Sequence, residues 1–201
     1  LTLPAVTIIG MKTDDEERQI TSTGNRTLKA RIMQHIPFTL NDVNRVMKIM
    51  PGVTSNNEKS SEICVRGGTS EENLVLIDGV RFRNPFHLKE VYNTSISMLN
   101  LNMIDHVKIY TGGFPAKFGD KMSSVLDIDY RQGNHEQYEH FVELGTMNFN
   151  YLFEGPFLNR GRGLLCVNKS YFEIPFNIIE KYNTVPKFYT ITAIPEFYDI
   201  Q

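Results

Sequence analysis

The sequence has no tryptophan and only two cysteines in 201 residues, Cys64 and Cys166. Two cysteines so far apart make no disulfide framework, and no Cys/His spacing suggests a structural zinc site. They read as free, buried thiols. Charge of one sign is missing too: 21 Lys and Arg face 23 Asp and Glu, which leaves no electrostatic footprint for nucleic acid. No apolar run approaches the ~20 residues of a membrane helix, so none is expected to span a bilayer. Residues 1–10 lack the basic start and cleavage pattern of a signal peptide. With 41% hydrophobic and 22% charged residues, it is a foldable chain and not a disordered one.

Catalytic signatures are scarce as well. His135-Glu136-Gln137-Tyr138-Glu139-His140 is no zincin motif, because Glu139 stands where the second histidine is needed. The glycines from Gly112 to Gly119 lack the Lys-Ser/Thr that closes a phosphate loop, and no Gly-x-Ser-x-Gly elbow is present. Asp127 and Asp129 share one face of a strand and read as solvated carboxylates. No nucleophile–base set is legible, so neither an enzyme nor a cofactor is expected.

What is present is a run of short Val- and Ile-rich segments cut by glycine, from Ile63 to Asp129. That is strand punctuation. Asp78-Gly79 between two apolar runs signals a two-residue hairpin turn. Elsewhere, residues 39–50 place Val43, Val46, Met47 and Met50 on one helical face, with Asn41 as N-cap and Pro51-Gly52 as the stop. Residues 28–36 suggest a short helix or turn stopped by Pro37, 91–101 a short helix with Ile96, Leu99 and Leu101 inward, and 19–24 a short strand. Residues 146–154 alternate, with Met147, Phe149, Tyr151 and Phe153 on one face. A half-buried soluble strand does this, and so does a barrel strand with lipid on one side.

The central stretch resembles the plug domain of TonB-dependent outer-membrane receptors. The likeness rests on Val65-Arg66-Gly67-Gly68, on Leu76-Ile77-Asp78-Gly79-Val80 and on Asn84-Pro85. It continues through residues 104–113, ending in Gly112-Gly113, then through Phe114-Pro115-Ala116-Lys117-Phe118-Gly119 and Ser123 to Ile128. Lys108 and Lys117 depart from the pattern, which favours acidic and Arg residues there. The resemblance implies an α+β plug, a small mixed β-sheet with short helices over residues 19–133. A β-hairpin from an incomplete barrel and an extracellular loop would fill 134–201. Residues 1–18 would hold a TonB-box-like segment, with Val6, Thr7, Ile8 and Ile9 lending their backbone to a sheet edge of the periplasmic TonB C-terminal domain.

The implied function is gating of energy-coupled nutrient uptake at the outer membrane, with the plug in the barrel lumen. Its partners would be TonB, the remainder of the barrel and a nutrient ligand. A 22-strand barrel needs ~220 strand residues, and 68 follow Gly133, so the chain is expected to be part of a receptor. The alternative is a soluble periplasmic β-rich interaction module. Residues 147–153 discriminate: a soluble module buries that aromatic face, and an orphaned barrel strand leaves it sticky.

Overall fold

The computed structural model describes residues 25–36, 41–57, 60–91, 94–145, 148–157, 161–171 and 189–197. The expected TonB-box segment, the strand at 19–24 and Met147 lie outside these residues.

The first sheet has five strands: β1 (Asn25–Lys29), β4 (Asn73–Ile77), β5 (Val80–Phe82), β8 (Ile104–Tyr110) and β9 (Ser124–Tyr130), in the order β1-β8-β9-β4-β5. Among the described residues only β4 and β9 pair in parallel. Asp78 (φ 48°) and Gly79 (φ 76°) make the expected tight turn between β4 and β5, both in the left-handed region such a turn requires. β4 is apolar from Leu74 to Ile77 because both its faces are covered there. Val75 and Ile77 join Val107, Ile109, Leu126 and Ile128 in the main core, while Leu74 and Leu76 meet Phe118 and Val125 on the other side. A bulge between Ile104 and His106 lets Ile104 and Val107, three apart, both point inward.

Two short helices, α1 (Ala30–Gln34) and α2 (Val43–Met47), cap the main core through Met33, Val43, Val46 and Met47. The apolar spacing expected for α2 holds, but the helix is shorter than 39–50. Its cap is Asp42 and not Asn41: the Asp42 carboxylate accepts from Asn44 N at 2.8 Å. Asn41 has φ 60° and gives its carbonyl to Leu101 N. Leu28 and Lys29, expected in a short helix or turn, end β1 instead. The helix expected at 91–101 is absent. β-branched Thr94 and Ile96 favour extension, and β6 (Phe86–Val91) pairs with β7 (Thr94–Ser97) before a 3₁₀ turn at Leu101–Met103. Leu99 and Leu101 are inward as expected. A two-stranded ladder of β2 (Val53–Thr54) and β3 (Cys64–Val65) completes this part.

The second sheet is an antiparallel meander of β10 (Glu139–Leu144), β11 (Asn148–Phe157), β12 (Gly161–Ser170) and β13 (Tyr189–Phe197). β10 and β13 go beyond the expected hairpin, and β13 lies within the stretch read as a loop. β11, β12 and β13 have the length of a tilted membrane strand. Residues 158–160 join β11 to β12, and residues 171–188 join β12 to β13.

Candidate functional site

Because β4 and β9 are parallel and β8 opposes them, the glycine motifs separate to two ends of the first sheet. Arg66, Gly67, Gly68, Gly112, Gly113, Pro115 and Gly119 gather where β4 and β9 begin; Asp78 and Gly79 sit where β4 ends. At the first end a Cβ on Gly112 would strike the Arg66 guanidinium, and one on Gly68 would strike Ser123 and lie 2.7 Å from Glu72 Oε2. Ser123 Oγ donates to Glu72 at 2.5 Å and holds that carboxyl below its usual range. Gly67 and Gly113 have positive φ. The Pro115 carbonyl accepts from Phe118 N at 3.0 Å, and the Gly119 carbonyl accepts from Arg81 at 3.3 Å. These residues build loops: Gly68 and Gly112 are where side chains of neighbouring segments come too close for a Cβ, and Gly67 and Gly113 are where the backbone takes positive φ.

Beside these loops a cleft of about 520 Å³ is lined by Arg81, Arg83, Asn84, Asp120 and Lys121, with Asn44 among its walls. Arg81 holds Asp120 at 2.6 Å. Asn44 is buried and its Oδ1 has no partner among the described residues, an acceptor available to a ligand donor.

The second sheet turns one face to the part of the molecule built around the first sheet. Leu152, Leu164 and Cys166 pack on Met103, with Tyr130 and Ile194 alongside. Around this small apolar patch runs a polar seam. Glu143 accepts from Asn41 and, at 2.7 Å, from Asn102. Asn150 donates to Asn100 at 3.4 Å, and Cys166 donates to Asn150 at 3.2 Å. Arg131 pairs with Glu154, and Arg162 bonds Gln132, His135 and Glu196. At the far end His87 meets Thr190 Oγ1 at 2.7 Å.

The other face points away. Phe149, Tyr151 and Phe153 are half-buried, while their neighbours Asn150, Leu152 and Glu154 are buried. Val142, Leu144, Tyr189 and Ile191 extend this outer face and are more than half exposed. The aromatic face therefore does not pack on the part of the molecule built around the first sheet. Tyr138 stacks on Phe153 with centroids 5.8 Å apart, and His140 bonds the Tyr151 hydroxyl at 2.8 Å. His135 and His140 thus serve different partners. Asp129 receives His106 Nε2 at 2.7 Å and Lys108 at 3.5 Å, and Asp127 lies opposite Lys108. The sequence reading missed the seam residues. Their only signal was polarity at the alternate positions of β11, such as Asn150 and Glu154.

The family model described as the TonB-dependent receptor plug domain matches residues 18–125. The TonB-dependent transporter Oar of Myxococcus xanthus is 28% identical over 89 residues, 44% of this chain and 8% of that protein. Among solved structures, a mutant of the ferric enterobactin receptor PfeA of Pseudomonas aeruginosa superposes with TM-score 0.55 at 17% identity, covering 77% of this chain and 26% of that one. The siderophore receptor PirA of Acinetobacter baumannii gives TM-score 0.55 at 19% identity, with 77% and 26% covered. The chain thus spans a small part of these relatives, and at such identities the superpositions speak for fold alone.

Proposed function

The chain belongs to the TonB-dependent receptor plug family, a family of outer-membrane receptors and not of enzymes, and on that premise we propose that it gates energy-coupled uptake of a nutrient through a β-barrel. In this reading β10–β13 are the first strands of the barrel wall and the first sheet is the plug. The observation that carries it is the orientation of β11. Asn150, Leu152 and Glu154 face the plug, and Phe149, Tyr151 and Phe153 face outward, where lipid would meet them. A soluble module would hide that face, so the orientation favours the barrel.

Loop lengths support a direction for the plug. Barrels of this kind have short periplasmic turns and long extracellular loops. The 158–160 connection marks the periplasmic end, and 171–188 the outer end. In this reading the His87–Thr190 contact supports an outward direction for the β6–β7 hairpin and the neighbouring cleft, where a nutrient would arrive. Residues 1–11 would meet the TonB C-terminal domain on the other side by strand addition through Val6, Thr7, Ile8 and Ile9.

Titrating a peptide of residues 1–11 against a TonB C-terminal domain tests the coupling. Binding is expected, weakened by Ile8→Pro, which removes a ladder donor. No binding, or binding indifferent to the proline, rejects this segment as the coupling site.

A further inference from the structure

Asp78 takes the first central position of the β4–β5 turn, where any residue at ease with positive φ would serve. Its side chain does something the turn does not need. The parallel pairing of β4 with β9 runs to Ile77–Ile128. One rung further, Asp78 N donates to the Ile128 carbonyl at 2.9 Å. A continuing parallel ladder would next bring Tyr130 N to the backbone carbonyl of residue 78. The chain has already turned into its hairpin there, and the carboxylate supplies the acceptor: Tyr130 N donates to Asp78 Oδ1 at 2.9 Å. A bond to an ionised acceptor is stronger than the neutral rung it replaces.

This rung lies where the chain leaves the plug. The Tyr130 ring packs against both the plug core and the cluster shared with the second sheet. Burial, and then the Asp78 charge, push its phenol up to about 12. The next amide, Arg131 N, is held by the Met103 carbonyl at 2.8 Å, and the Arg131 guanidinium by Glu154. Gln132 and Gly133 then meet Arg162 and Gly163.

We propose that Asp78 is a positioning residue for the crossing from plug to barrel wall: its carboxylate adds a last rung to the β4–β9 ladder and fixes the chain at Tyr130 so that Arg131 reaches Glu154. Its meaning as a plug-to-wall fastening rests on the function proposed above; the rung itself does not. A pull entering the plug through β1, which among the described residues pairs only with β8, meets that one described ladder first. The crossing is gripped by Asp78, Met103 and Glu154 together, so the plug can open at β1 while staying moored at Tyr130.

Hydrogen exchange by mass spectrometry, on the whole outer-membrane protein in detergent, separates this rung from the turn. Asp78→Gly keeps the turn's backbone freedom and removes the acceptor, whereas Asp78→Asn keeps both an acceptor and tolerance of positive φ. In Asp78→Gly, amides of residues 129–133 should exchange about tenfold faster, the size expected for loss of one charge-assisted bond, with residues 74–82 unchanged. Asp78→Asn should stay within about threefold of the parent. Unchanged exchange at 129–133 in Asp78→Gly overturns the proposal. So does faster exchange across 74–82 and 129–133 alike, or an Asp78→Asn variant as fast as Asp78→Gly. None of these outcomes bears on whether the chain is a plug.

Discussion

The two sheets place polarity in opposite ways. In the first, the main core is apolar on the inside, with fully buried Val107, Ile109, Leu126 and Ile128, and the charged side chains of Lys108, Asp127 and Asp129 look outward. In the second, the buried side carries Asn150, Glu154 and Arg162 around a small patch of Leu152, Leu164 and Cys166. The side that looks away is apolar, with Ile191 71% and Leu144 78% exposed. One sheet is built for water outside. The other has a polar seam inside and an apolar face outside, the arrangement that the proposed barrel wall requires and a soluble layer does not. Alternation in sequence is the same in both cases; what reverses is which half of the alternation is buried.

The sharpest contrast comes from cutting apolar groups out of each sheet. Ile109→Ala should cost the plug about 2–5 kcal/mol in denaturant unfolding, as a buried aliphatic truncation does. Phe149→Ser with Phe153→Ser should leave plug stability within about 1 kcal/mol and reduce self-association in dilute detergent. If the double change unfolds residues 63–129 cooperatively, the aromatic face is core and the soluble-module reading replaces the barrel.

Next in size is a pH effect at the junction between the sheets. The Tyr130 phenol, raised from 10 to about 12 mainly by burial, favours the protonated form in the fold. Its contribution is complete below pH 10 and is lost as pH rises toward 12. The loss amounts to roughly 2–3 kcal/mol. Tyr130→Phe should remove that part of the alkaline destabilisation, read from denaturant midpoints at pH 9 and pH 12.

A smaller effect tests how closely the sheets approach. Gly133 and Gly163 face one another, but only one has room. A Cβ on Gly133 would stand 2.5 Å from the Gly163 carbonyl oxygen, and a Cβ on Gly163 would meet nothing within 4 Å. Gly133→Ala should therefore cost about 1–3 kcal/mol as an overpacked contact. Gly163→Ala should stay within about 0.5 kcal/mol of the parent. Equal effects in thermal unfolding would mean that the backbones do not touch there.

Much of the plug is legible in sequence because its signals are local. Asp78-Gly79 specifies a turn through φ alone, and β4 announces a doubly covered strand through four successive apolar residues. The helix expected at 91–101 failed because its apolar residues belong to a strand, a bend and a 3₁₀ turn in succession, whose spacing imitates a helical face. At α2 the competition between Asn41 and Asp42 was settled by tertiary pairing: Asn41 gives its carbonyl to Leu101 and its amide to Glu143, leaving the cap to Asp42. The seam was illegible for the same reason. Nothing near Glu143 or Glu154 in the chain announces Asn102 or Arg131 as a partner, because those contacts exist only once the two sheets meet.

The central claim, that the aromatic side of β11 faces lipid, can be read directly by spin labels. Single cysteines placed in turn at positions 149 to 154 of the whole protein in a bilayer would be labelled and their collision rates with oxygen and a water-soluble nickel chelate compared; native Cys64 and Cys166 are buried and shielded from the reagent. The account predicts a period of two, with oxygen accessibility high at 149, 151 and 153 and low at 150, 152 and 154. Accessibility without alternation, or higher on the even positions, would contradict it.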